Sequence, residues 1–493
     1  MIECLTLLLL FGAVLYRSVG IGLTQIAVIS ALTSAFFFII FLSKKGIVTA
    51  LLIGTLIMAG ASYMAIRTVT IPQDFFTQSA VTATVRAVDR RLDKTILVVK
   101  DSHYAVLLQA TLHSQSTLLP GDTVTVKGII VHPQDFMTPT GRLFPYQNYL
   151  QSKGIVALIN NASVAIISTG SFSLPRLATT LRFAIADIFS RYIAFPVDGI
   201  MAGVVVGYQG NIPSWVQDLF RTTGVLHVLV LSGENITLLA LFLAIVLRAL
   251  PFKIRSALTA CAIVLLVLIS GAGVSAIRAG IMGIVALSAG LVRRGYVPLR
   301  ALTVSILLFF FYSPQTIFVD PGFHLSVLGT IFMIIILPKI ESLFHFLPEQ
   351  YNLRQVIILA VCVPLFMLPY TMYFSGLLPA ASPFANILMM VMTSILMLAG
   401  ASMIAVSWIP PLAQTAGLLI SWMGEMTLKI LELLNQLPQW NTPPLAWWGV
   451  VTIYLLFFGL VFQKEIRQFW YDQQTRLRSS VPLPPSSSEP ENQ

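Results

Sequence analysis

The stretch Gly224-Val225-Leu226-His227-Val228-Leu229-Val230-Leu231-Ser232-Gly233-Glu234-Asn235-Ile236 decides the fold class. It opens an apolar run over 225–248, interrupted where Ser232 to Asn235 place polar and helix-weakening residues in it. About 20 apolar residues carry a helix across a ~30 Å hydrocarbon core. Comparable runs recur near 256–271, 275–292, 301–318, 322–337, 354–374, 384–408 and 445–462, and three more lie at 4–20, 21–42 and 46–66. Hydrophobic residues are 56% of the 493 and charged residues 10%, against about 25% charged in an ordinary soluble domain. Mean hydropathy is +0.85. A chain this apolar could not keep its surface wet, which excludes a soluble globular enzyme and a disordered chain. Strands of a membrane barrel would alternate over ~10-residue segments instead. The class that remains is a polytopic α-helical membrane protein with roughly 10–12 transmembrane helices.

Between about 75 and 170 the texture changes. Val81 to Val85, Thr95 to Lys100 and Ala105 to Leu112 alternate with period 2. Pro120-Gly121-Asp122 reads as a turn before a strand ending at Gly128, and Ile155 to Ile159 and Val164 to Ile167 complete the set. Five or six short strands with turns between them predict a small closed barrel or sandwich. The net charge is +10. Excess Lys and Arg marks cytoplasmic loops, although a polyanionic substrate would also select a positive chain. Lys44 and Lys45 between the second and third runs place that hairpin in the cytoplasm, so parity puts the β domain outside. Arg248, Lys253 and Arg255, then Arg293, Arg294 and Arg300, fall in loops of the same cytoplasmic parity.

The stretch 176–206 carries Arg182, Asp187, Arg191 and Asp198 and reads as an interfacial amphipathic helix. The run 412–436 carries Glu425, Lys429 and Glu432 and must span or re-enter if the tail with Arg467, Arg476 and Arg478 is cytoplasmic. Met1 to Cys4 has no basic n-region, so the start reads as an uncleaved span. Ser479 to Gln493 is rich in Pro and Ser and is expected to be disordered. Cys4, Cys261 and Cys362 sit in apolar runs without CxxC spacing and read as small hydrophobes.

Polar groups inside these runs are informative, because a charge at mid-bilayer costs about 2.5–3.5 kcal/mol even on insertion scales. His227 and Glu234 are seven apart and would share one face of an unbroken helix. Alternatively, Ser232 and Gly233 break the helix and expose backbone to a cavity. Between Ser270 and Met282, small residues at 271–273, 275, 276, 279 and 280 allow close helix packing. Arg278 in the same run needs a partner or water. A neutralising contact with Glu234 is one option; a water-filled path for an anion is the other. Asp320-Pro321 is a helix start with Asp as N-cap, and His324 and Ser326 enter the span behind it. No GxxxxGK[ST], HExxH or HxHxDH occurs, and the GxSG context is missing around Ser232. No catalytic residue, cofactor or metal is therefore expected.

Four segments together resemble the ComEC family of competence membrane proteins, over about 30–462. Thr138 to Ile155 is similar to the family's segment closing its extracytoplasmic OB-like domain. Gly224 to Ile236 resembles its G-x-x-H-hydrophobic-S-G-x-[HN]-I signature, Ser270 to Met282 its S-G-x-x-x-S-x-x-R-A-x-x-M, and Asp320 to Leu328 its D-P-x-[FQ]-x-L-S run. The chain departs from the family in four places. Asn235 stands where a second His is common, Glu234 where an apolar residue is usual, His324 where Gln is usual, and Val391 where a proline often follows Asn386. Longer members end in a metallo-β-lactamase-like domain, and the missing HxHxDH removes the expectation of a built-in nuclease.

The resemblance implies an inserted OB-like extracytoplasmic β domain and a channel for single-stranded DNA across the cytoplasmic membrane during natural transformation. The chain then divides into N-terminal helices at 1–70, the β domain at 75–170, the competence channel domain at 176–462 and a cytoplasmic tail at 463–493. His227, Ser232, Gly233, Glu234, Asn235, Ser275, Arg278, His324 and Ser326 become the residues expected to line or gate the path. An OB fold binds single strands with a basic groove and stacking aromatics, which points to Arg86, Arg90, Arg91, Lys94 and Tyr104 as DNA contacts, although a solvated loop explains the same charges. The implied partners are single-stranded DNA, the lipid bilayer, and separate chains for the DNA receptor, the cytoplasmic ATPase or helicase and the nuclease. Two rival readings are a secondary transporter of a small anion, using the broken helix as its midplane site, and a non-conducting assembly scaffold.

Overall fold

The computed structural model describes residues 59–60, 75–76, 78–138, 140–229, 233–348, 353–443, 445–465 and 467–468. The runs at 4–20 and 21–42, the Lys44–Lys45 hairpin, Cys4, Arg67, Ser232, Arg476, Arg478 and the Pro/Ser-rich end lie outside the described residues.

The alternating segments form a closed five-stranded barrel. Its strands are β1 (Ala80–Arg90), β2 (Thr95–Asp101), β3 (Leu107–Leu112), β4 (Thr123–Val131) and, after a short hairpin and helix, a long strand Ile155–Ser168. The hairpin is β5 (Phe136–Met137) with β6 (Leu143–Phe144), the helix is α1 (Tyr146–Ser152), and the long strand is β7. The order β1-β2-β3-β7-β4 closes on itself. β3 pairs with β7 in parallel, and the other ladders are antiparallel. Period-2 patterning sets the inward face: Thr95, Leu97, Val99 and Asp101 of β2 are buried while their neighbours are half-exposed. The two strands expected at 155–159 and 164–167 are one strand. Asn161, at φ +50°, sits within it, and the register shifts opposite Lys127 and Ile129 let β7 bend from β3 onto β4.

Asp122 ties this barrel to the helices. Its Oδ1 accepts from the Gly170 N–H (2.8 Å) and from Arg176 Nη1 (2.6 Å), and its Oδ2 accepts from the Leu119 N–H (2.9 Å). Burial opposes its charge, but these three donors hold the Asp122 carboxyl below the ordinary carboxylate value. Gly121 reaches φ +97° in this turn, a conformation open to glycine.

The next helix, α2 (Leu174–Tyr192), starts at the Ser173 cap, whose Oγ accepts from the Arg176 N–H at 3.4 Å. It buries Ala178, Thr179, Phe183, Ala186 and Phe189 along one stripe, as an amphipathic helix does. The interfacial helix expected over 176–206 does not continue to 206. α3 (Val197–Val206) is a separate helix with every residue buried. The sequence VDGIMAGVVV is apolar almost all round, and such a helix belongs in a core.

After α4 (Ser214–Thr222) come α5 (Gly233–Val246), α6 (Phe252–Ile269), α7 (Val274–Leu291), α8 (Pro298–Tyr312), α9 (Pro314–Val319) and α10 (Pro321–Ile331). α10 runs on through a π-turn at Phe332–Ile336 and a last turn at Leu337–Ile340. α11 (Leu353–Phe374), β8 (Leu377–Pro379), α12 (Ser382–Val406), α13 (Pro410–Leu434), β9 (Gln439–Asn441) and α14 (Trp447–Val461) complete the described chain. Among the described residues five helices are long and apolar enough to cross a membrane: Phe252–Ile269, Val274–Leu291, Pro321–Phe344, Arg354–Phe374 and Ser382–Val406. The molecule is a polytopic helical membrane protein carrying an inserted OB-like barrel. α7 packs against α5, α6, α8 and α10, and the buried α3 packs against α2, α12 and α13.

Candidate functional site

His227 lies in a 3-10 turn, Leu226–Leu229, whereas Glu234 and Asn235 lie in α5, which is described from Gly233, so His227 and Glu234 do not share one α-helical face. His227 is exposed on that turn. Asn235 is fully buried, and its Nδ2 donates to the Val204 carbonyl of α3 at 2.9 Å. Glu234 is exposed, and its Oε1 accepts from Ser394 Oγ of α12 at 3.3 Å. The described start of α5 therefore faces three ways: Asn235 toward α3, Glu234 toward α12, and Gly233 toward α7.

Arg278 stands at that third side. It is 7% exposed, in the second turn of α7. Its Nη2 lies 3.7 Å from where a Cβ on Gly233 would stand. Its Nε donates to Ser326 Oγ (2.8 Å), and its Nη1 donates to Thr330 Oγ1 (2.6 Å) and to Met282 Sδ (3.2 Å). Thr330 Oγ1 donates in turn to the Ser326 carbonyl (2.8 Å). Among the described residues the ion pairs are Arg91–Asp89, Arg176–Asp122, Arg221–Asp218 and Lys339–Glu465. The contact with Glu234 weighed from the sequence is not formed. Neutral hydroxyls accept from Nε and Nη1, and no carboxylate among the described residues pairs with the guanidinium. Such a charge attracts an anion, and a guanidinium can exchange hydroxyl acceptors for two phosphate oxygens.

Asp320 caps α10 as expected, with Oδ1 accepting from the Phe323 N–H at 3.1 Å. His324 is fixed at both nitrogens, Nε2 on the Ile317 carbonyl (2.7 Å) and Nδ1 on the Tyr370 hydroxyl (2.7 Å). A carbonyl only accepts, so Nε2 carries the proton and Nδ1 accepts from the tyrosine. Ser275 lies about one turn from Arg278 and is half-buried. Of the residues expected to line a path, the structure brings together Gly233, Arg278 and Ser326, and turns Glu234, Asn235 and His324 toward other partners.

The barrel reaches these helices through the segment that closes it. Arg142 Nη2 donates to the Thr442 carbonyl (3.1 Å) and the Pro443 carbonyl (3.0 Å) beyond β9. Thr140 Oγ1 donates to the Ser375 carbonyl (2.6 Å), and Ser313 Oγ donates to the Ser152 carbonyl (2.6 Å). Of the barrel residues expected to touch DNA, Arg90 lays its guanidinium 3.9 Å over the Phe183 ring, and Arg91 pairs with Asp89 at 3.1 Å. Tyr104 packs edge-on to Phe75 with ring centroids 5.2 Å apart. Arg86 is exposed and Lys94 is half-buried. Sequence reading missed Thr330, Tyr370 and Arg142. Thr330 follows Ser326 by four residues on one helix face, a spacing visible in the sequence.

A family model described as Competence protein matches residues 204–467, more than half of the chain. The chain belongs to this competence family, the ComEC family that its motifs resemble. The match contains Gly233 to Asn235, Arg278 and the Asp320 cap. ComE operon protein 3 of Bacillus subtilis (strain 168) is 24% identical over 360 residues, covering 69% of this chain and 44% of that protein. The chain thus spans less than half the length of this curated competence relative. No solved structure matches the chain.

Proposed function

We propose that this competence-family chain forms a conduit for single-stranded DNA across the cytoplasmic membrane during natural transformation. The observation that carries the reading is Arg278: a buried guanidinium held by hydroxyls of Ser326 and Thr330, beside Gly233 of α5, with no carboxylate pairing with it among the described residues. A charge kept in a span at such cost marks an ion or substrate pathway. The OB-like barrel sits at the outer mouth, the loops with Arg248 to Arg255 and Arg293 to Arg300 face the cytoplasm, and the tail follows them there. The partners this reading implies are a DNA receptor, an ATPase that drives movement and a nuclease that removes the second strand.

A small-anion transporter would use the same polar segment. The barrel favours a polymer, because a small solute needs no such vestibule. Deletion of the gene in a transformable host tests the reading. Surface-bound DNA is expected to remain, while DNA in the cytoplasm disappears. Normal transformation, or loss of surface binding together with uptake, would contradict it.

A further inference from the structure

Part-exposed aromatic rings join the barrel's closing segment to the helix that holds Arg278. Phe136 lies 5.3 Å from Phe144 and 5.7 Å from Tyr146, centroid to centroid. Tyr146 and Tyr149 are stacked at 6.5 Å, with planes 24° apart. Phe144 meets Phe374 at the end of α11 (5.7 Å), and Phe374 lies parallel to Tyr370 (6.3 Å, 4° between planes). Tyr370 then bonds His324 on α10, two residues before the Ser326 that holds Arg278.

None of these six aromatic rings is buried, and Phe136 is 50% exposed. A hydrophobic core would hide rings of this size. The exposed Lys153 ammonium stands 4.3 Å over the Tyr149 ring and gives the row a cation at its outer end. Part-exposed rings beside a cation are what single-stranded nucleic acid binds, bases on the rings and phosphates on the charge.

We propose that this row, from Phe136 and Tyr149 to Tyr370, is a stacking track that receives nucleobases of single-stranded DNA and leads the strand to Arg278. The proposal rests on the conduit reading above and names the surface that strand follows. It is indifferent to base sequence, because every base has a π-face. A belt of aromatics that only anchors the protein at the membrane surface would show no preference for a strand with bases over an abasic one.

The full chain in lipid nanodiscs separates these outcomes. Binding of oligo(dT) is compared with binding of an abasic oligomer of the same length and charge. The same pair is measured on the Phe136→Leu, Tyr149→Leu double variant and on Phe136→Leu alone, which changes a half-exposed ring and keeps the fold. Oligo(dT) is expected to bind at least roughly tenfold tighter than the abasic strand, with stacking on more than one ring. That gap is expected to narrow in both variants. Equal binding of the two strands to the unmodified chain overturns the track while leaving a phosphate-reading conduit in place. An unchanged gap in the variants also overturns it, since the bases then stack elsewhere. No binding of either strand overturns the track and the conduit together.

Discussion

Arg142 and Arg278 are buried to the same degree, each 7% exposed, yet their surroundings differ in kind. Arg142 donates through Nη2 to the main-chain carbonyls of Thr442 and Pro443 and, at 3.3 Å, to Thr442 Oγ1, some 300 residues along the chain, while its Nε and Nη1 are buried with no partner among the described residues. Gly376, at φ +70°, lies directly against its guanidinium. Arg278 donates to the side-chain hydroxyls of Ser326 and Thr330. A carbonyl of an ordered loop cannot turn away without moving the backbone, whereas a hydroxyl rotates about one bond. The first arginine is an anchor between the barrel's closing segment and the far end of the helical domain. The second can change acceptors while the helices stay in place. On the proposed reading, two equally buried charges serve assembly and traffic, one held mainly by main-chain carbonyls and the other by side-chain hydroxyls.

The sharpest way to break this contrast is at the anchor. Gly376→Ala would put a Cβ into the Arg142 guanidinium at a positive φ, and Arg142→Ala would leave two carbonyls without their donor, at about 1–3 kcal/mol for each unsatisfied group. Both substitutions are expected to lower the amount of folded protein in the membrane several-fold, measured by quantitative blotting of washed membranes. Normal abundance in either variant would remove the anchor from the account.

A smaller effect is expected at Asp122, which joins the barrel turn to Gly170 and Arg176. Asp122→Asn loses the charge-assisted bond to Arg176 and is expected to cost about 1–3 kcal/mol, read as a lower unfolding midpoint of the detergent-solubilised chain. The pH dependence follows from the sign of the shift. The folded carboxyl titrates below its unfolded value, so its contribution is complete above the unfolded value, near pH ~4, and is lost as pH falls through the folded one. The difference between the two proteins should therefore shrink in acid. A difference that stays constant from neutral pH to about pH 2 would assign the effect to packing.

The smallest effect is expected at Glu234. Its described contact is a 3.3 Å bond from Ser394 on an exposed edge, and no ion pair joins it to Arg278. Glu234→Gln should change abundance by less than about twofold, in keeping with a substitution within about 0.5 kcal/mol. Adding Glu234→Gln to Arg278→Gln should restore nothing. A rescue of abundance in the double variant would show that the two charges neutralise each other and that the site assignment is wrong.

Period and capping explain what the sequence made visible. The inward face of β2 follows from alternation, α10 starts where Asp320 and Pro321 require, and the spans near 256–271 and 275–292 match α6 and α7. The polar run Ser232 to Asn235 stood out because polar residues are rare in lipid-facing helices, and Gly233 to Asn235 of it lie within α5. What stayed hidden depends on distant chain. The acceptors of Arg278 lie 48 and 52 residues away, and serine and threonine in a span carry no signal that an arginine will find them. The charge of Glu234 drew attention to itself as a partner, while the neutral hydroxyls that took its place did not. The division of 176–206 into α2 and a buried α3 was obscured by averaging an amphipathic half with an apolar one.

Arg278→Gln in a transformable host tests the central claim most directly, with membrane abundance and DNase-protected DNA in the cytoplasm measured on the same cells. The hydroxyl acceptors leave glutamine able to bond, so abundance should hold. Uptake should fall by about tenfold or more, the loss of one charge-assisted contact of about 1.5–3 kcal/mol, and Arg278→Lys should recover part of it by keeping the charge without the paired grip. Abundance that collapses while uptake per remaining molecule stays normal would contradict the account and make Arg278 a structural residue.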